Sequence, residues 1–185
     1  MAERRILRLL AEAWDDLRAS HAGLTEAELL EPGVAGSWSV RDLLAHVTAW
    51  EEEALKHLPV VLAGGRPPRY ADAYGGIDAF NALTAARRSG LTLSEVRFEH
   101  ARVHRRLLDY VGDVPDAALG PKTRARRRLR LDAYGHYRHH AAAIRRWRER
   151  RPWSRGAPAA SAGAREERER RGQQAERQGG EGEGR

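Results

Sequence analysis

Eight histidines and no cysteine set the chemistry open to this 185-residue chain. With no thiol there can be no cysteine nucleophile, iron–sulfur cluster or cysteine zinc site. A metal would have to be held by imidazoles, with or without carboxylates. His136 and His140 are four apart in YGHYRHHAAAIRRW, so on a helix both rings share the stripe that continues through Ile144 and Trp147. His139 lies toward the edge of that stripe. On another segment His46 shares an inward face with Leu43, Val47 and Trp50. Three inward imidazoles from two helices can meet on one divalent ion and leave a position for water or substrate. A bland reading stands beside this one. A core-facing histidine is more often a satisfied packing residue, and a spacing of four arises by chance among eight histidines.

His100 and His104 form a rival pair in FEHARVHRRLL. His100 follows the Val96, Val103 and Leu107 stripe and is a candidate pocket residue, whereas His104 drifts toward the edge beside Arg105. His21 and His57 fall near helix ends, where an imidazolium gains from the dipole, and they read as structural. Tyr137 could donate a proton to a leaving group, and Trp50 and Trp147 could line an apolar pocket. All three also fit plain core packing. No catalytic general base is expected, and Asp42 reads only as a capping partner.

The elements that must place these residues are helical, because apolar positions recur at three and four while strand alternation is nearly absent. The pattern predicts a first helix over about 3–21 with Ile6, Leu10, Trp14 and Leu17 on one stripe. A short turn opens at Thr25 and Glu28. Ser39 and Asp42 form a capping box that starts a helix over 40–62, with Pro59 near its end. The segment GGRPPRYADAYGG (64–76) reads as a loop whose two tyrosines and an arginine could cover something. Further helices are predicted over 77–88, from the Thr92 cap to about 111, and over about 131–150, with the basic stretch 115–130 irregular.

The whole chain has a net charge of +7, which by itself suggests a nucleic-acid binder. Resolved by position, residues 1–121 hold 14 basic against 18 acidic side chains, and residues 122–151 hold 12 against 2. The excess therefore sits in KTRARRRLR (122–130) and at the end of the last helix. No aromatic interleaving, helix-turn-helix spacing or zinc-finger pattern accompanies it, so nucleic acid is not expected as a partner. Residues 152–185, rich in Gly, Ala, Gln and mixed charge, have no large apolar residue past Trp153 and read as a disordered tail. The expected domain is therefore 1–151. Neither a signal peptide nor a membrane-length apolar run is read, and a cytoplasmic location is expected.

GSWSVRDLLAHVTAWEEE (36–53) resembles the second-helix motif of the DinB-like superfamily, with its Trp-Ser-x-x-Asp-x-x-x-His pattern. YGHYRHHAAAIRRW (134–147) resembles the family's last-helix motif, and IDAFNALTAARRSGLTLSEV (77–96) is similar to segments of the DinB-like and ClbS/DfsB branches. The resemblance implies an all-α four-helix bundle with one or two short accessory helices. It also implies that His46, His136 and His140 ligate a divalent metal, zinc or nickel, and that a low-molecular-weight thiol is a cosubstrate. By the same resemblance the chain would be a thiol S-transferase or hydrolase acting on a small electrophile. The alternatives are a metal-free ClbS/DfsB-like binding or resistance protein and a nucleic-acid-associated basic bundle. A homodimer is left open.

Overall fold

Three helix starts in this sequence follow the pattern Ser/Thr-x-x-Asp/Glu, and all three close as capping boxes. The Thr25, Ser39 and Thr92 hydroxyls accept from the backbone amides of Glu28, Asp42 and Glu95, whose carboxylates reach back to the cap amides. In the computed structural model, which describes residues 5–151, these caps open α2 (Glu26–Leu30), α3 (Val40–Leu62) and α6 (Leu93–Asp113). Before them runs α1 (Arg5–His21), and between α3 and α6 lie α4 (Tyr70–Tyr74) and α5 (Ile77–Arg88). A 3-10 turn at Asp116–Leu119 leads to α7 (Arg124–Leu129), a π-helical segment Arg130–Tyr134 and α8 (Gly135–Glu149). Among the described residues extended pairing is limited to one isolated bridge, Ala35 with Trp38. The protein is all-α, as expected.

The central element is α3, which packs against α6, α5, α7 and the π segment, while α1 lies against α6 and the π segment. Leu10 and Leu17 of α1, Leu43, Leu44 and Leu58 of α3, Leu107 of α6 and Ile144 of α8 meet in one fully buried core. Removing such side chains from water is the main favourable contribution, roughly 1.5–3 kcal/mol for each large apolar residue. Arg41 ties the start of α3 to the α5–α6 connection by donating to the carbonyls of Arg88, Ser89 and Leu91. At the other side Arg145 holds Asp16 at 2.6 Å and joins α8 to α1.

Two expectations are corrected. The stretch 115–130 is not irregular, because the Thr123 hydroxyl caps the Arg126 amide. From there an arginine-rich helix, built of good helix formers, runs without a break into the segment carrying His136 and His140. The 64–76 loop contains the single turn α4, closed by Gly75 and Gly76 with φ of 81° and 123°, a pair of backbone angles that favours glycine. The helix α3 runs from Val40 to Leu62 as expected, with Pro59 inside its last turn. A proline in the last turn removes one hydrogen bond there but leaves the preceding turns intact.

One compact unit extends to Trp147, and residues 148–185 form a second unit, of which only 148–151, the end of α8 and the residues after it, are described. The tail expected over 152–185 lies outside the described residues. No described helix is long and apolar enough to cross a membrane.

Candidate metal centre

Two turns separate Ser39 from His46, so the capping box that starts α3 also sets the azimuth of this ring. His136 and His140 lie one turn apart at the start of α8, immediately after the π segment. There the Gly135 amide donates to the Arg130 carbonyl, five residues back. A Cβ on residue 135 would stand 2.4 Å from that carbonyl oxygen, so glycine is the residue that permits this register. π-Helical turns add a residue to a helix and often mark functional sites.

The three Nε2 atoms converge. His46 Nε2 is 3.1 Å and His140 Nε2 2.8 Å from His136 Nε2, and a ligand atom from each ring falls within 4.8 Å of the others. An imidazole nitrogen offers either one proton or one lone pair in its plane. His136 Nε2 can therefore satisfy only one of its two neighbours with protons. A divalent ion about 2.0–2.1 Å from each nitrogen would accept all three lone pairs and hold the nitrogens about 3 Å apart. The residues present fit such an ion.

Burial keeps these lone pairs free. The pKa values of His46, His136 and His140 are all lowered to about 3, first by loss of water and then by the neighbouring imidazoles. Trp38 and Trp50 stand against the rings, Trp38 at 4.8 Å from His46 and Trp50 at 5.8 Å from His136, centroid to centroid. The Nδ1 atoms of His46 and His140 are buried without a hydrogen-bond partner. Metal-ligating histidines usually fix their orientation through that second nitrogen, whereas here packing against aromatic rings does so.

The rings open on a cavity of about 470 Å³ lined also by the apolar Trp50, Ile77 and Leu131 and by the polar Tyr70, Asn81, Arg128, Asp132 and His139. Arg128 pairs with Asp132, one turn on in the π segment, and donates to the Tyr70 hydroxyl at 2.8 Å. Tyr70 in turn donates to Glu53 at 3.1 Å, and Glu53 also holds His57 at 3.5 Å. Burial raises the Asp132 carboxyl to about 7 against the opposing charge of Arg128. The Trp50 indole donates to Asn81 at 3.1 Å, which joins α5 to the site.

Of the residues singled out in the sequence, His46, His136, His140 and Trp50 come together at this cavity. His100, Tyr137 and Trp147 do not. His100 meets the Thr48 hydroxyl at 3.1 Å under Trp14. Tyr137 is fully buried and donates to Glu51, which is also fully buried and accepts from His104 at 2.9 Å. Trp147 packs in the core. His104, expected at an edge, is buried and stacks on Trp14 at 3.5 Å. The pocket residues Ile77, Asn81, Arg128, Leu131, Asp132 and His139 were not anticipated. The four-residue spacing of Arg128 and Asp132 was a usable ion-pair signal, hidden by reading 115–130 as irregular.

Among solved structures the chain is similar to DfsB, described as a sibling lethal factor precursor. The TM-score is 0.66 at 16% identity, covering 85% of this chain and 99% of that one. An uncharacterised protein from Escherichia coli UTI89 gives 0.65 at 15% identity, covering 78% and 91%. The colibactin self-resistance protein ClbS, in complex with double-stranded DNA, gives 0.63 at 14% identity, covering 79% and 94%. At these identities the likeness is one of fold. No curated protein matches the sequence. The profile of the DinB superfamily matches residues 9–144, nearly the whole compact unit and all three converging histidines, and the chain belongs to that superfamily.

Proposed function

We propose that the protein is a cytoplasmic divalent-metal-dependent enzyme that activates a low-molecular-weight thiol or water against a small electrophilic substrate. The observation that carries this reading is the approach of three uncharged Nε2 atoms at the floor of a cavity. His46, His136 and His140 would hold zinc or nickel, both of which accept imidazole. When bound, such an ion lowers the pKa of a coordinated thiol or water into the neutral range. The chain's own residues supply the rest. Trp50, Ile77 and Leu131 offer an apolar surface to an uncharged electrophile and keep water from one side. Arg128, fixed in place by Asp132 and Tyr70, presents positive charge in the same cavity, suited to the carboxylate of an amino-acid-derived thiol. Asn81 spends its carbonyl on Trp50, which leaves its amide donors for a ligand.

The test is thioether formation between glutathione, as a carboxylated probe thiol, and 1-chloro-2,4-dinitrobenzene. The zinc- or nickel-loaded chain is expected to accelerate it, the chelated chain to do no better than buffer, and Arg128→Gln to raise KM for the thiol. An equal rate in the chelated chain would contradict metal dependence.

The likeness in fold to DfsB and ClbS favours a second reading, a metal-free protein that binds or disarms a reactive small molecule in the same cavity. It predicts that chelated protein still consumes the electrophile. A DNA-binding role by analogy with ClbS is less favoured. Arg124, Arg126 and Arg128 of the basic run turn to carbonyls, a phenol and a carboxylate of the protein itself.

A further inference from the structure

Helical geometry divides the basic run KTRARRRLR between two cavities. Arg128 faces the histidines, whereas Lys122, Arg126, Arg127 and Arg130, with Tyr134, line a second cavity of about 490 Å³. The π segment serves both, giving Leu131 and Asp132 to the first and Arg130 and Tyr134 to the second. No carboxylate lines the second cavity. Arg124 also reaches it, but donates to the carbonyls of Gly64 and Gly65 at 3.2 and 2.6 Å.

Arg126 carries the argument. It is only 9% exposed. Its Nε donates to the Tyr134 hydroxyl at 3.2 Å, and its guanidinium lies 5.4 Å from the centre of that ring. No acidic side chain among the described residues pairs with it, and its two terminal nitrogens are left to the cavity it lines. A largely buried charge without a counter-ion is costly, and a neutral phenol offsets little of that cost. The Tyr134 hydroxyl accepts from Arg126, so its own proton remains available.

We propose that this cavity binds a small phosphorylated ligand, whose phosphate oxygens take the terminal nitrogens of Arg126 and the charges of Lys122, Arg127 and Arg130. The planar guanidinium fork matches phosphate oxygens two at a time. Four cations with no acid beside them fit a group of more than one negative charge, such as a diphosphate. These cations converge on a concavity, whereas a nucleic-acid backbone is met by charge spread along an extended surface.

Calorimetric titration of the full chain with inorganic pyrophosphate at about 0.15 M ionic strength tests the proposal. One saturable site is expected, weakened about tenfold or more in Arg126→Gln and measurably in the exposed-residue double variant Arg127→Ala/Arg130→Ala. The double variant keeps the test decisive if Arg126→Gln does not fold. Binding is expected to persist in His136→Ala, which separates it from an anion taken by a metal at the histidines. Absence of saturable binding, binding unchanged in the folded double variant, or binding abolished by His136→Ala would overturn it. A parallel arm uses duplex DNA: binding of the duplex through Arg127 and Arg130, with none of pyrophosphate, assigns the cavity to a nucleic-acid backbone and overturns it as well.

Discussion

Burial has placed four imidazoles, His46, His100, His136 and His140, at pKa values of about 3, well below the value near 6.5 of an unfolded chain. Between these limits the unfolded chain binds more protons than the folded one, so stability is full above about pH 6.5 and is lost as pH falls toward 3. Asp132, raised to about 7, and Glu51, also raised by burial, act in the opposite sense, but two carboxyls are outnumbered by four histidines. Denaturation midpoints of the chelated chain are therefore expected to fall steadily from pH 6.5 to 4. With zinc or nickel present the fall should be steeper, because protons and the ion compete for the same nitrogens; a flat profile would contradict the burial of neutral imidazoles. Tyr137 gives a second prediction at this scale. Its hydroxyl donates to Glu51 in the core and not to the cavity, so Tyr137→Phe should cost about 1–3 kcal/mol of stability with metal affinity unchanged. Chemical denaturation and metal titration of the same variant check both halves.

The elements carry the site through two devices, a cap and a π turn. Ser39 closes the box that begins α3 two turns before His46. Ser39→Ala should lower stability by about 1 kcal/mol, read from urea unfolding, while leaving helix content intact. Gly135 is more consequential. Forcing a Cβ against the Arg130 carbonyl would cost about 1–3 kcal/mol or convert the π turn to α, rotating His136 and His140 away from His46. Gly135→Ala is thus expected to weaken metal binding while circular dichroism still reports a helical protein. These two devices differ in how far the sequence discloses them. The capping boxes at Thr25, Ser39 and Thr92 are local, since the residues that signal them also make the bonds, and all three are visible in the sequence. Helical phase likewise brought His46, His136 and His140 inward. The π turn packs against α1 and α3, far away in the chain, and a glycine there reads only as a weak helix residue. With α7 unrecognised, Arg128 and Asp132 had no helix to share, and their part of the cavity lining was missed. Tyr137 failed for a related reason: helical phase gives the direction of a residue but not its neighbour, and nothing local says that Glu51, one turn past Val47, would be buried opposite it.

At the scale of the molecule, the basic excess of residues 122–130 is shared between two cavities. One cavity has the three converging imidazoles, His139 and a paired arginine; the other has five cations, Arg124 among them turned to backbone carbonyls, and no acid. The DinB superfamily match ends at residue 144, before the low-complexity tail begins. We propose that the tail is dispensable to the site: a chain ending at Arg151 is expected to unfold at the same midpoint and bind metal with the same affinity as the full chain. The central claim is that His46, His136 and His140 share one divalent ion, and metal titration of tag-free, chelator-treated protein addresses it most directly. One zinc or nickel ion per chain is expected. Each of His46→Ala, His136→Ala and His140→Ala should weaken it by more than the roughly 10–100-fold that loss of an outer-sphere partner costs, with the helical spectrum retained. A folded wild-type chain that takes up neither ion, or three folded variants that bind it as tightly as the wild type, would contradict the claim.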